Sequence, residues 1–223
     1  MQNLPYLTVL FTCTAAGLMS QNADGVKFDT PQVRVLKVTD EPHHKSALHQ
    51  HDVNRVMVYL DDGAMTVTDP AGKVTKMHWK AGDVRWSPAG GQHISENIGS
   101  KPFRIVEVEL KNRPEASQTP VQMPALDPLK VDPKHYKVEL DNDQVRVVRA
   151  RYGAHEKGVM HEHVLPRVVV YLTDQSMNVT TPDGKTEHVE NKAGEVKMAG
   201  AAKHSEENLS DRSFEVVVVE LKR

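Results

Sequence analysis

Short apolar runs rich in valine, separated by turn residues, follow one another along the chain. In the first half these runs lie at 56–60, 64–68, 74–79, 84–87 and 103–110. Their length and their content of β-branched residues are typical of strands. Asp-Asp-Gly at 61–63 and Pro-Ala-Gly at 70–72 are typical of the hairpin turns between strands. No stretch has sustained helical periodicity, so the pattern predicts an all-β barrel or jelly roll.

The second half of the chain repeats the first. Val-Arg-Val at 33–35 recurs at 145–147, and Val-Tyr-Leu at 58–60 recurs at 170–172, both with an offset of 112 residues (145 − 33 = 112). Beyond Gly194 the offset is 111, because one residue has been lost from the second copy. The repeat predicts two tandem domains of similar fold.

Composition changes divide the chain into four segments, namely an N-terminal arm at 1–24, a first domain at 25–111, a linker at 112–130 and a second domain at 131–223. Four prolines in the linker favour a semi-extended segment over a helix. The all-apolar runs of the second copy predict strands that are buried on both faces, as when two barrels pack together.

The N-terminal arm is apolar and then turns polar near Ser20, which favours an export signal and a periplasmic or secreted protein. No Lys or Arg precedes Lys27, so the alternative is a cytoplasmic protein with an apolar arm packed on its surface. The arm is too short and too interrupted to form a stable membrane span. The single Cys13 excludes an intramolecular disulfide, and the net charge of -2 offers no footprint for nucleic acid.

Histidine, with 12 residues, supplies the candidate chemistry. Side chains at i and i+2 of a strand share a face, so each His-x-His pair presents two imidazoles side by side. A third histidine follows later in each copy, which gives the sets His49, His51 and His93, and His161, His163 and His204. Three neutral imidazoles suit one divalent transition metal, with Fe, Cu, Zn, Ni and Mn all open. The alternative is that these histidines face solvent, which their recurrence in both copies disfavours.

The segment 82–97, Gly-Asp-Val-Arg-Trp-Ser-Pro-Ala-Gly-Gly-Gln-His-Ile-Ser-Glu-Asn, resembles the second motif of the cupin superfamily. His49-x-His51, with Gly63 further on, is similar to the first motif. In the second copy Ala199 or Gly200 stands in place of the motif proline. The resemblance implies a bicupin of two jelly-roll barrels, similar to small bacterial three-His cupins, with the three histidines of each copy as the ligands of one metal ion.

The chain departs from the cupin pattern where a glutamate ligand commonly follows the His-x-His pair. Arg55 and Arg167 stand there, or Val56 and Val168 if the longer spacing applies, and none of these supplies a carboxylate, so the usual set of three histidines and one glutamate is in doubt. Strand alternation places Arg55 on the face of the histidines, and Arg167 likewise unless Pro166 creates a bulge, so that each guanidinium is able to clamp a substrate carboxylate. The alternative is an arginine at the rim, paired with an acid such as Asp61 or Glu107.

Other recurrent or isolated polar residues have weaker claims. His43 and His155 precede the His-x-His pairs and are candidates for hydrogen bonds to the ligand histidines or for exposed turn residues. Glu96 and Glu207 are candidates for proton transfer or for solvated carboxylates. His78, His135 and His188 have no counterpart in the other copy and are predicted to lie on the surface.

These observations favour a metal-dependent enzyme that acts on a small substrate, with an anionic one preferred. Dioxygenase or copper-oxidase chemistry and metal-assisted isomerisation or lysis are all open. The alternatives are a non-catalytic cupin that binds a metal or a small ligand, and a duplication whose C-terminal copy has lost its site. Since two barrels in one chain are able to pair with each other, we expect a monomer with paired barrels or a homodimer.

Overall fold

The computed structural model describes residues 25–111 and 121–222. Within these ranges the chain is almost entirely β. The strands of the first half are β1 (Gly25–Asp29), β2 (Val33–Asp40), β3 (Asn54–Tyr59), β4 (Gly63–Thr68), β5 (Val74–Trp79), β6 (Val84–Ser87), β7 (Ile94–Asn97) and β8 (Phe103–Leu110). A short helix, α1 (Pro128–Val131), precedes β9 (Tyr136–Asp141), β10 (Val145–Tyr152), β11 (His161–His163), β12 (Arg167–Tyr171), β13 (Gln175–Thr180), β14 (Thr186–Asn191), β15 (Val196–Ala199), β16 (Ala202–Asn208) and β17 (Phe214–Leu221).

Each half forms one larger and one smaller antiparallel sheet. In the first half the strand orders are β1-β2-β8-β3-β6 and β5-β4-β7. In the second half they are β15-β12-β17-β10-β9 and β11-β16-β13-β14. The two halves therefore share one topology, and the prediction of an all-β chain with two tandem jelly-roll barrels is confirmed.

The predicted strands at 74–79, 84–87 and 103–110 agree with β5, β6 and β8 residue for residue. The first His-x-His pair differs from its prediction, because it is not part of a continuous strand. His49 forms an isolated bridge with His93, whereas His161 and His163 lie in β11. The ring centroids within each pair are nevertheless 5.0 and 5.1 Å apart, so both segments present the two imidazoles in the same way.

The largest buried cluster joins the two barrels. Valines from both five-stranded sheets contribute to it, among them Val56 and Val58 of β3 and Val168 and Val170 of β12, all fully buried. Because side chains alternate along a strand, Met57 and Tyr59 point the other way and line the interior of the first barrel. Each fully buried valine contributes about 1.5–3 kcal/mol, so this interface is a major source of stability.

Two hydrogen bonds related by the repeat tie the barrels together. Lys37 Nζ donates to the carbonyl of Gly194 at 3.2 Å, and Arg149 Nη2 donates to the carbonyl of Gly82 at 2.6 Å. The four residues correspond pairwise through the offset of 112, since 149 − 37 = 112 and 194 − 82 = 112. The barrels are therefore related by an approximate two-fold axis.

The end of the predicted linker is more ordered than its prolines indicate. Residues 121–130 belong to the described part of the chain, and helix α1 begins within them, so the prediction of a linker without a helix is wrong there. The Asp127 carboxylate caps this helix and also pairs with Arg146 of β10 at 2.6 Å. The segment is thus held against the second barrel by a buried ion pair. The predicted N-terminal arm, 1–24, and residues 112–120 of the linker lie outside the described residues.

Among the described residues, no helix has the length and apolar character needed to cross a bilayer.

Candidate metal centres

The structure brings the first histidine set together inside the first barrel. His49, His51 and His93 each offer one ring nitrogen, and these three atoms lie within 4.8 Å of one another. Reciprocal backbone hydrogen bonds, from His49 N–H to His93 O at 3.0 Å and from His93 N–H to His49 O at 2.8 Å, fix the two segments side by side.

Hydrogen bonds to backbone carbonyls orient the imidazole rings of His49 and His93. His49 Nδ1 lies 2.9 Å from the carbonyl oxygen of Ala47, and His93 Nδ1 lies 3.1 Å from that of Gly91. Because a carbonyl oxygen only accepts, each Nδ1 carries the proton and donates it, which leaves Nε2 with a free lone pair. This is the arrangement in which imidazoles bind metal ions.

Arg55 of β3 points inward, as strand alternation predicts, and is only 6% exposed. Its Nη1 donates to His51 Nε2 at 2.9 Å and to Glu107 Oε2 at 2.8 Å, and its Nη2 donates to Ser87 Oγ at 3.0 Å. Both readings of Arg55 thus hold in part, since it faces the histidines and also pairs with Glu107. The other suggested partner, Asp61, pairs instead with Arg104.

Burial, the nearby Arg55 and the other two histidines lower the pKa of His51 to about 4. His51 is therefore neutral near pH 7, as a metal ligand has to be. For its Nε2 to bind an ion together with His49 and His93, the Arg55 guanidinium has to turn away from it.

The second set has the same geometry in a drier environment. His161, His163 and His204 again offer ring nitrogens within 4.8 Å of one another. His161 of β11 is paired directly opposite His204 of β16, and its Nδ1 lies 3.0 Å from the carbonyl oxygen of Val159. His161 and His163 are buried, and this burial lowers the pKa of both rings.

A chain of buried charges holds His163. Its Nδ1 lies 2.9 Å from Glu220 Oε1, and Glu220 Oε2 accepts from Arg146 Nε at 2.5 Å. Arg146 also pairs with Asp127. Burial raises the pKa of Glu220, but the hydrogen bonds from His163 and Arg146 outweigh it and keep the pKa below its usual value. The carboxylate therefore accepts the Nδ1 proton and directs Nε2 of His163 towards the other two rings.

Sequence reasoning missed a carboxylate in this second centre. Glu206 of β16 lies with Oε1 3.0 Å from His204 Nε2 and Oε2 3.6 Å from His161 Nε2. Burial raises the pKa of Glu206, but the hydrogen bond with His204 and the charges of the three histidines outweigh it and lower the pKa to about 2. The signal was present in the spacing His204-x-Glu206, because residues at i and i+2 of a strand share a face. Ser95 occupies the matching position of the first copy.

Two tyrosines complete the second centre and were also missed. The Tyr136 hydroxyl lies 3.2 Å from His161 Nε2 and 3.2–3.3 Å from both carboxylate oxygens of Glu206. The Tyr152 hydroxyl donates to Glu206 Oε2 at 3.1 Å. Burial and the Glu206 charge raise the pKa of both tyrosines, so each keeps its proton and acts as a donor.

Arg167 of β12 is as buried as Arg55 but has different partners. Its Nη1 donates to the carbonyl oxygen of Gly200, the residue in place of the motif proline. Within the described part of the chain Arg167 forms no ion pair with a carboxylate, although it lines the same cavity as Glu206. This guanidinium therefore retains donors for a ligand.

The remaining candidates lie away from the two centres. His43 and His155 are exposed turn residues with φ of 60° and 57°, and His155 Nε2 contacts Asp211, so the role beside the ligand histidines is not supported and the exposed-turn alternative is found. Glu96 and Glu207 lie 3.7 Å from Lys45 and Lys157 and are partly exposed, as solvated carboxylates are.

The prediction that three isolated histidines lie on the surface is right for His78 and His188 and wrong for His135. His135 is buried because its ring stacks on Tyr152 at 4.1 Å and its Nδ1 bonds to Asp132 at 2.7 Å. It thus supports the tyrosine that contacts Glu206.

The cavities beside the two centres differ in size. The first, of about 450 Å³, is lined by His51, Arg55 and Glu107 and by an apolar wall that includes Trp86 and Phe103. The second, of about 200 Å³, has a smaller free space because tyrosines from β9, β10 and β12 fill the barrel interior. The first cavity has more room for a substrate.

No protein-family model matches the chain, and no curated protein matches it in sequence. Solved structures match it in fold. A cupin 2 conserved barrel domain protein from Leptotrichia buccalis is 13% identical, with a TM-score of 0.54, and covers 90% of this chain and 88% of its own. Oxalate decarboxylase from Bacillus subtilis, described with Mn(II) centres, is 14% identical, with a TM-score of 0.57 and coverage of 85% and 68%.

Salicylate 1,2-dioxygenase from Pseudoaminobacter salicylatoxidans is 13% identical, with a TM-score of 0.56 and coverage of 85% and 71%. At these identities the likeness establishes the fold. Together with the repeated topology, it shows that the chain has the cupin fold twice.

Proposed function

We propose that the chain is a metal-binding bicupin that acts as a metal-dependent enzyme of the oxygenase or oxidase type on a small anionic substrate. The observation that carries this proposal is the first barrel, where a convergent histidine triad and the buried Arg55 line one cavity of about 450 Å³. The fold neighbours include a decarboxylase of oxalate and a dioxygenase of salicylate, both small carboxylates.

The donor set fits one divalent transition metal per barrel. Nδ1 of both His49 and His93 donates to a carbonyl, so both Nε2 lone pairs are available, and His51 is neutral. Such an ion, whether Fe, Cu, Zn, Ni or Mn, supplies Lewis acidity or a redox couple. Glu107 and Glu109 have carboxylate oxygens within 4.8 Å of a His51 ring nitrogen, but they are paired with Arg55 and Arg34, so the charge of the ion is left for an anionic substrate to offset.

The residues around the first triad are suited to bind and orient a carboxylate. Arg55 is an always-charged donor, and the hydrogen bond from Nη2 to Ser87 and the pair with Glu107 keep it inside the barrel. When it turns away from His51, the edge formed by its unpartnered Nε and its Nη2 offers a fork for a carboxylate beside the triad. The apolar wall of Met57, Trp86 and Phe103 accommodates a carbon skeleton and excludes water.

Metal content is the first test of this proposal. Elemental analysis of protein purified without added metal should give close to two equivalents, and replacement of both His49 and His51 by Ala should remove the metal of the first barrel only. Oxygen uptake is then measured with a panel of small carboxylates and diketones. Fully metallated protein that is silent across the panel would support the alternative, a non-catalytic binding cupin.

The role of Arg55 is tested separately from the metal. Arg55→Met should keep the metal and weaken binding of the panel carboxylate that binds best by at least about tenfold, since a bidentate charged pair is lost. Arg55→Lys keeps the charge but not the fork, and should recover only part of the affinity. Unchanged carboxylate binding in Arg55→Met would refute the clamp.

We further propose that the arm at 1–24 directs export to the periplasm or outside the cell. Paired barrels within one chain are consistent with a monomer, and a homodimer is the alternative. Measurement of the N-terminus of the mature protein and of its mass in solution tests both.

A further inference from the structure

We propose that Glu206 is a fourth protein ligand of the C-terminal metal centre, which makes this centre the tighter-binding of the two. The inference rests on the proposed function only in assuming that the histidine triads bind metal. The carboxylate comes from β16, not from the position after His161-x-His163, where Arg167 stands.

The distances are those of atoms that share a metal ion. Bonds of about 2.0–2.2 Å to one ion, at angles between 90° and 110°, place neighbouring ligand atoms about 2.8–3.6 Å apart. Glu206 Oε1 lies 3.0 Å from His204 Nε2, and Oε2 lies 3.6 Å from His161 Nε2. These spacings match a carboxylate and two imidazoles that share one ion, and the Tyr136 hydroxyl, 3.2 Å from His161 Nε2, has to turn aside for the ion to bind.

The hydrogen bonds around Glu206 favour a ligand role over an ordinary ion pair. Arg167 is the buried cation of the same cavity, yet it donates to the Gly200 carbonyl while Glu206 faces the histidines. Tyr152 donates to Glu206 Oε2, and the Tyr136 hydroxyl lies 3.2 Å from the same oxygen, so both tyrosines help to fix the orientation of the carboxylate. Ligating carboxylates in proteins are held by such outer hydrogen bonds.

The first barrel provides an internal comparison. Its matching residue, Ser95, contacts Ser46 through both its backbone N–H and its hydroxyl, and offers no charge to the triad. The tyrosine pair is also particular to the second copy, because Asp40 stands at the position of the first copy that corresponds to Tyr152. The first triad thus has no carboxylate at this position and lies beside the larger cavity, whereas the second has the Glu206 carboxylate beside it. A carboxylate oxygen favours the harder ions, Mn and Fe, at the second centre.

Cobalt(II) binding to the full-length protein tests the proposal. The His49→Ala/His51→Ala double variant leaves only the second centre, and its Co(II) affinity and visible absorption spectrum are measured at pH 7.5 against a competing chelator. Addition of Glu206→Gln should lower the affinity at least about tenfold and change the spectrum. The control Glu207→Gln, the neighbouring partly exposed carboxylate, should do neither.

An ordinary ion pair between Glu206 and a protonated His204 predicts the opposite sign. In that case Glu206→Gln would free His204, and the Co(II) affinity would stay the same or rise, which would overturn the proposal. Glu206→Asp keeps the charge but withdraws the oxygens, so it should shift the spectrum even if the Gln variant folds poorly. If the double variant with Glu206 intact binds no Co(II), the proposed metal function of this barrel fails as well, which separates the two failures.

Discussion

The buried ion pairs behind His163 give a prediction about stability, for which the first copy of the repeat supplies the control variant. Arg146 pairs with Asp127 at 2.6 Å and with Glu220 at 2.5 Å, and all three side chains are nearly inaccessible to solvent. Its counterpart Arg34 lies 3.5 Å from Glu109 and is 40% exposed. The corresponding ion pair is therefore buried in the second barrel and partly exposed to solvent in the first.

The size of the effect follows from that difference. Arg146→Met leaves two buried carboxylates without their cationic partner, which costs about 3–5 kcal/mol of the free energy of unfolding. Arg34→Met breaks one solvated pair and costs about 0–1 kcal/mol. For a chain of this length, the first change corresponds to a drop in melting temperature of roughly 6–20 °C.

The assay is urea and thermal unfolding of the metal-free protein in the presence of a chelator. Arg146→Met combined with Asp127→Asn and Glu220→Gln removes the uncompensated charges and should recover part of the lost stability. Arg146→Met alone should also weaken Co(II) binding at the second centre about 10–100-fold, because Arg146 no longer holds Glu220 against His163. Equal losses of stability in Arg146→Met and Arg34→Met would refute the reasoning.

Two further predictions concern packing and pH. Gly63→Ala should lower the free energy of unfolding by about 1–3 kcal/mol, because a Cβ there would lie 2.4 Å from the Trp79 ring. Gly200→Ala has open space around it and should change this free energy by less than about 0.5 kcal/mol. Tryptophan fluorescence during urea unfolding measures both. The lowered pKa of His51 means that the folded state resists protonation of this ring. The contribution of the neutral ring to the stability of the metal-free protein is complete above pH 6.5 and is lost as the pH falls towards 4. The loss amounts to about 1–2 kcal/mol after allowance for solvent screening. His51→Gln should flatten the pH dependence of unfolding over that window, and an unchanged slope would count against this assignment.

Local pattern was sufficient for most of the fold. Alternation along β3 sends Val56 and Val58 to the interface between barrels and Met57 to the interior, and the same rule correctly placed Arg55 inside. The histidine triads were also within reach, because each combines an i, i+2 pair with a third histidine recurring at a fixed offset. These features depend on one strand at a time.

Features that depend on which strands meet were out of reach. Glu206 approaches His161 only because β16 pairs with β11. Tyr136 contacts both residues from β9, which precedes the stretch of sequence that recurs in both copies. His135 has no counterpart in the first copy, so the comparison of copies offered no clue that Tyr152 buries it. The residues that complete the second centre are therefore those in which the two copies differ, and a comparison that looks for recurring residues does not find them.

The position of one acid distinguishes the two barrels. Each cavity contains an inward arginine and an inward glutamate, but Glu107 lies on β8, where the second copy has Val218, and Glu206 lies on β16, where the first copy has Ser95. In the first barrel the glutamate binds Arg55 and leaves the triad without a carboxylate. In the second the glutamate faces the triad and leaves Arg167 with a carbonyl partner. Moving the acid from one strand to another thus changes the group that it faces, from Arg55 in the first barrel to the histidine triad in the second, while the histidines and the fold stay the same.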